Sequence, residues 1–137
     1  MQFRNLAAAL LLATGMMLTL LPAGAHAFEL SGAWASHDDL CKLVFTKKGS
    51  EVVFAELSDL YGSGFVIDGD RVRGKAAQCT IKSKKQTGDT IELSAACATS
   101  IMTQDMRFTL KIVDDNTVSR NFSEVPGMSL NYSRCKL

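Results

Sequence analysis

The stretch SGAWASHDDLC, residues 31–41, admits two readings, and the choice between them decides the fold. In one, His37, Asp38, Asp39 and Cys41 form a metal or catalytic cluster. In the other, Gly32-Ala33-Trp34 opens the first strand of a small β-barrel and Cys41 is one end of a disulfide. Three consecutive polar residues cannot all face one ion without a tight turn, and a zinc or copper site needs further His or Cys ligands. His37 is the sole histidine beyond residue 27. A Ser-His-Asp or Cys-His centre would have to use it, and no serine stands in a G-x-S-x-G turn. The reading adopted is structural. Trp34 anchors the core, Ser36 or Asp38 caps a short turn, and His37 and Asp39 are solvated. No metal, cofactor or catalytic residue is assigned.

Working outward from this stretch, the chain reads as strand, turn, strand. Leu30–Ala35 is a first strand. Lys42–Thr46 and Glu51–Leu57 flank Lys47-Lys48-Gly49-Ser50. Phe65–Ile67 and Arg71–Arg73 flank Asp68-Gly69-Asp70, a hairpin signal. Cys79–Lys84 and Thr90–Ala98 flank Gln86-Thr87-Gly88-Asp89. Met106–Val113 and Thr117–Phe122 flank Asp114-Asp115-Asn116, and Pro126-Gly127 leads into Ser129–Cys135. Eight or nine short strands with this turn spacing predict an all-β barrel or sandwich. A helical turn is allowed only at 36–41 and 57–61.

Ahead of the barrel, Arg4, the apolar run Leu6–Leu21 and Ala25-His26-Ala27 have the layout of a secretory signal peptide. Residues 1–27 are therefore expected to be removed, leaving 28–137 as one domain, periplasmic or secreted, with no stable membrane insertion. The chain carries 15 Lys+Arg against 14 Asp+Glu; loss of Arg4 leaves 14 against 14. A neutral domain has no general pull toward nucleic acid.

All four cysteines (Cys41, Cys79, Cys97, Cys135) lie in this domain, which reads as two disulfides. If Gly88 takes the left-handed position of a three-residue loop, Lys85 pairs with Asp89 and Cys79 faces Ala95, so that Cys79 and Cys97 are diagonal neighbours. Cys41 would then join Cys135, for about 4 kcal/mol of loop-closure stabilisation. Cys41–Cys79 with Cys97–Cys135 is the alternative.

Gly32-x-Trp34 on a first strand, with Leu130, Tyr132 and Arg134 on one face of the last, resembles the calycin superfamily, the lipocalins and their relatives. That resemblance implies an eight-stranded up-and-down barrel in which the tryptophan sits at the closed end and the terminal-strand arginine packs across it as a cation–π lid. The run SGAWASHDDLCKLVF is also similar to the start of the small periplasmic metalloprotease inhibitors of bacteria. These are barrels with one disulfide that insert an N-terminal arm into the protease; here Phe28-Glu29-Leu30 would be the whole arm. The chain further resembles small exported bacterial proteins that share the tryptophan, four cysteines and a terminal Arg-Cys.

Four features bear on binding. Arg71, Arg73 and Lys75 share a strand face, and Lys82 and Lys84 share the non-core face of the next strand, with Lys85 at its turn. Together they form a basic patch that reads first as a solvated sheet face and second as a site for an acidic partner. Arg120 alternates with Val118 and Phe122, which points it inward. A β-bulge or exposed strand end is the expected explanation, and the polar anchor of a ligand pocket is the alternative. Tyr61-Gly62-Ser63-Gly64 reads as a connection, or else as a lid. Finally, about 110 residues leave little space inside a barrel. The expected function is non-catalytic binding of an unidentified ligand or partner, with an inhibitor of an envelope enzyme and a small-ligand barrel as alternatives.

Overall fold

The computed structural model describes residues 26–137, so the signal-peptide reading of the N-terminus lies almost wholly outside the described residues. Ten strands form: β1 Gly32–Ala35, β2 Phe45–Lys48, β3 Glu51–Phe54, β4 Gly64–Asp68, β5 Arg71–Arg73, β6 Gln78–Thr87, β7 Thr90–Ala98, β8 Thr103–Asp114, β9 Thr117–Asn121 and β10 Ser129–Arg134. Eight of them close an antiparallel barrel in the order β1-β10-β9-β8-β7-β6-β5-β4, with β4 returning to β1. Closure removes the free edges that an open sheet of this size would expose. β2 and β3 form a separate hairpin, inserted between the first two barrel strands.

Period-two alternation sends one face of each strand inward. Leu30, Trp34, Ile67, Ile91, Leu93, Leu110, Val118 and Tyr132 are buried inside the barrel, with Phe28, Phe65, Val72, Ile81, Phe108 and Ile112 around them. β1 does not follow the half-buried pattern, because Ala33 and Ala35 on its outer face are also buried. They meet a second apolar layer made by Cys41, Val44, Phe45 and Val66, with Leu40, Val52 and Phe54 at its margin. The β2–β3 hairpin is held over this layer by Arg73, which pairs with Glu51 at 3.2 Å and donates to the Val52 carbonyl at 2.9 Å. Lys75 Nζ donates to the Ala55 carbonyl at 3.1 Å and to Ser58 Oγ at 2.9 Å.

The strand expected at 42–46 is shorter. Residues Cys41–Val44 form one helical turn, α1, preceded by a 3-10 turn over Asp38–Leu40. Positions three apart on a helical turn share a side, so Cys41 and Val44 are buried while Lys42 and Leu43 are exposed. The strand begins only at Phe45. A second 3-10 turn spans Ser58–Leu60, and both turns fall within the windows expected from sequence.

Two disulfides join Cys41 to Cys135 and Cys79 to Cys97. The β6–β7 register differs from expectation by three residues beside the turn and by two at the cysteines. The chain reverses over Gly88-Asp89 alone, with Gly88 at φ +61°, so Thr87 pairs with Thr90. A bulge between Ile81 and Ser83 takes one residue of that shift back, and Cys79 then stands directly opposite Cys97 instead of diagonal to it. The same bulge changes the face of the basic residues. Lys84 pairs with Leu93, an inward-face position, and no longer shares the outer face with Lys82.

Candidate functional site: an apolar cavity at the open end

One end of the barrel is sealed by the residues that precede β1. Leu30 inserts into the core, and the Phe28 amide donates to Gln86 Oε1 at 2.9 Å. Trp34, fully buried, donates its indole Nε1–H to the Leu30 carbonyl at 2.9 Å. Across the Trp34 ring lies Arg134, its Cζ 4.3 Å from the centroid and 5.7 Å from that of Phe28. Its guanidinium donates to the Ser31 carbonyl at 2.7 Å and the Glu29 carbonyl at 2.6 Å. Gly32 allows this approach. Its φ is +135°, and a Cβ there would lie 3.3 Å from Arg134 Nη1. The Glu29 carboxylate accepts the Ser31 amide at 2.7 Å, and that bond, with the Ser31 hydroxyl, holds its pKa below the ordinary 4.5. Phe28-Glu29-Leu30 is thus packed as the floor of the barrel, not extended as a free arm.

The opposite end is open. There the barrel encloses a cavity of about 260 Å³, lined by Phe65, Ile67, Val72, Leu93, Met106, Phe108 and Leu110, with Ser63, Gly64, Gly74 and Ala77 at the mouth. Cys79, Arg120 and Tyr132 complete the lining. Strict alternation explains Arg120. It pairs with Leu110 on one side and Leu130 on the other, in step with Val118 opposite Ile112. The β8–β9 irregularity lies between Ile112 and Asp114, away from Arg120. The bulge expected to excuse an inward arginine is therefore elsewhere. The Arg120 side chain is partly buried, its guanidinium carbon 4.8 Å from the Phe108 centroid and 4.5 Å from that of Phe122, with its nitrogens in reach of solvent. Among the described residues, no carboxylate or carbonyl takes a hydrogen bond or ion pair from it. Tyr132 Oη accepts from Ser63 Oγ at 3.4 Å.

The other sequence candidates do not gather here. Arg73 and Lys75 are committed to the outer hairpin. Arg71 is exposed on the barrel's outer face, opposite Thr80. Tyr61 is exposed and absent from the cavity lining. Its loop is tied down by the Ser36 amide, which donates to the Ser63 carbonyl at 2.9 Å. His37, Asp38 and Asp39 are exposed, and among the described residues no three His, Cys, Asp or Glu side chains group closely enough to hold a metal ion. A larger hollow, about 500 Å³, lies outside the barrel between Asp38, Asp39 and Lys42 on one side and Asn116, Thr117 and Lys136 on the other. It is about as open as the barrel cavity, but its lining is polar and of mixed charge, without the apolar walls that characterise a small-molecule site. Sequence reasoning missed Tyr132 as cavity lining and the Phe108–Phe122 bracket around Arg120. The Phe108 half of the bracket depends on the β8–β9 register, which no local pattern states, whereas Phe122 follows from alternation.

Compared with known proteins, the chain matches no family model, no curated protein and no solved structure. Its two disulfides indicate an oxidising, extracytoplasmic setting. Among the described residues no helix is long and apolar enough to cross a membrane.

Proposed function

We propose that this chain is a non-catalytic binding protein, periplasmic or secreted, whose barrel takes a small ligand through its open end. The carrying observation is the asymmetry of the barrel: one end is plugged by Leu30, Trp34 and Arg134, and the other opens into an apolar cavity of about 260 Å³. The resemblance of Gly32-x-Trp34 with Arg134 to the calycin superfamily supports a barrel closed at one end. The two disulfides and the signal-like N-terminus support export. The lining supports holding rather than converting a molecule. Two hydroxyls and a guanidinium stand in it without an imidazole or carboxylate to serve as base.

The volume suits a ligand of roughly ten to fifteen non-hydrogen atoms. The test is calorimetric titration with 1-octanol, a neutral compound just below the small end of that range. Saturable one-to-one binding is expected, and Ala77→Phe, which narrows the mouth without touching the buried core, should weaken it at least tenfold. Heat that never saturates, or binding indifferent to Ala77→Phe, would sink the reading.

A further inference from the structure

The geometry points to a specific ligand class: an amphipathic anion, a medium-chain carboxylate being the simplest example, with its chain in the barrel and its head on Arg120. This rests on the binding reading above and deepens it. Bringing a guanidinium partly out of water against apolar surface costs free energy that an anionic partner can offset. Arg134 shows how the same side chain is satisfied elsewhere in this protein, with two carbonyls at 2.7 and 2.6 Å and an aromatic face. Arg120 has the aromatic faces, Phe108 and Phe122, but no acceptor among the described residues.

The aromatic rings hold the guanidinium plane at the mouth by cation–π contact, with its nitrogens still in reach of water. Its fork of donors therefore stays free in a fixed orientation, suited to two parallel bonds to one carboxylate. Below it the lining is aliphatic and aromatic: Phe65, Ile67, Val72, Leu93 and Leu110. A purely apolar ligand would leave the guanidinium unanswered, and a cationic head would meet it with like charge. An eight-carbon carboxylate has ten non-hydrogen atoms in its chain and head, which lies within the roughly ten to fifteen that the volume allows.

The experiment compares octanoate, 1-octanol and octylammonium on the disulfide-intact domain by calorimetry at low salt. Octanoate should bind about tenfold tighter than octanol, the usual worth of one charge-assisted contact of this kind, and octylammonium should bind more weakly than either. Arg120→Gln should remove the octanoate preference and leave octanol affinity within twofold. The wild-type comparison needs no variant, so poor folding of Arg120→Gln would not spare the inference. Equal octanoate and octanol affinities would overturn the anion assignment while leaving the barrel as a ligand site. An octanoate preference that survives Arg120→Gln would overturn the role of Arg120. Failure of all three compounds to bind would overturn the binding reading and this inference with it.

Discussion

Replacing Arg134 by methionine removes the lid of the sealed end while keeping most of its stem. Two short charge-assisted bonds, at 2.7 and 2.6 Å, are each worth about 1.5 kcal/mol, and the cation–π contact over Trp34 about 1 kcal/mol. Ser31 and Glu29 are exposed, so water recovers part of what their carbonyls lose. A net cost of about 2–3 kcal/mol is therefore expected, or about 10 °C in the unfolding midpoint of a domain this size. Urea unfolding followed by the fluorescence of Trp34, the sole tryptophan, measures it with the disulfides intact. The damage should be local. Cys135 stays tied to Cys41 and its amide to the Ala33 carbonyl, so β10 keeps its place while residues 28–31 loosen. Hydrogen exchange at the Ser31 amide, bonded to the Glu29 carboxylate in the native state, should rise well before that of the β7 core. Arg134→Lys keeps the charge but loses the fork, and should recover less than half of the loss. A cost below about 0.5 kcal/mol for Arg134→Met, or a lysine variant as stable as the parent, would refute the reasoning.

Cys41→Ala with Cys135→Ala opens a loop of 94 residues and should cost about 4–5 kcal/mol, against about 3 kcal/mol for Cys79→Ala with Cys97→Ala, whose loop is 18; denaturant midpoints of the two double variants give the ranking, and a reversed order would contradict the loop-closure account. Phe45→Ala, at a fully buried position with its ring tilted against Phe54 at 5.1 Å, should destabilise by about 3–5 kcal/mol yet leave ligand affinity of the folded protein unchanged, because the outer layer does not line the cavity. Glu29 has its folded pKa lowered chiefly by the Ser31 amide. Its contribution is thus present above the unfolded value and lost as pH falls through the lower folded one. Glu29→Gln should flatten stability below about pH 4.5 and change little at pH 7, as acid titration of the thermal midpoint would show.

The barrel was legible because its signals are local. Alternation in Met106–Ile112 and Ile91–Cys97, with turn residues between the runs, states which face goes inward. The disulfide pairing was legible as a preference, since it followed from two cysteines sharing the inner face of one hairpin. The register was not. A two-residue and a three-residue loop fit the same Thr87-Gly88-Asp89 sequence, and the compensating bulge at Lys82 has no composition of its own. Neither was the outer layer legible. Ala33 and Ala35 are too small to announce burial, and Cys41–Val44 is too short for helical periodicity to show. Arg120 was read as facing inward and then explained away. Phe122, two residues on, follows from alternation, but the significance of Arg120 also depends on Phe108 of β8 closing over it, a contact between strands that alternation along one strand does not encode.

Phe28 and Arg134 lie near opposite ends of the domain's sequence and touch at its sealed floor. Anything attached through either end, a tether, a tag or a neighbouring domain, would therefore sit behind the barrel with the mouth facing away. Immobilised by its terminus on a sensor surface, the protein would present its cavity to solution without further engineering. A short peptide joining the two ends, with new termini cut at the Gly88-Asp89 turn on that same floor, would yield a rewired chain whose mouth is untouched.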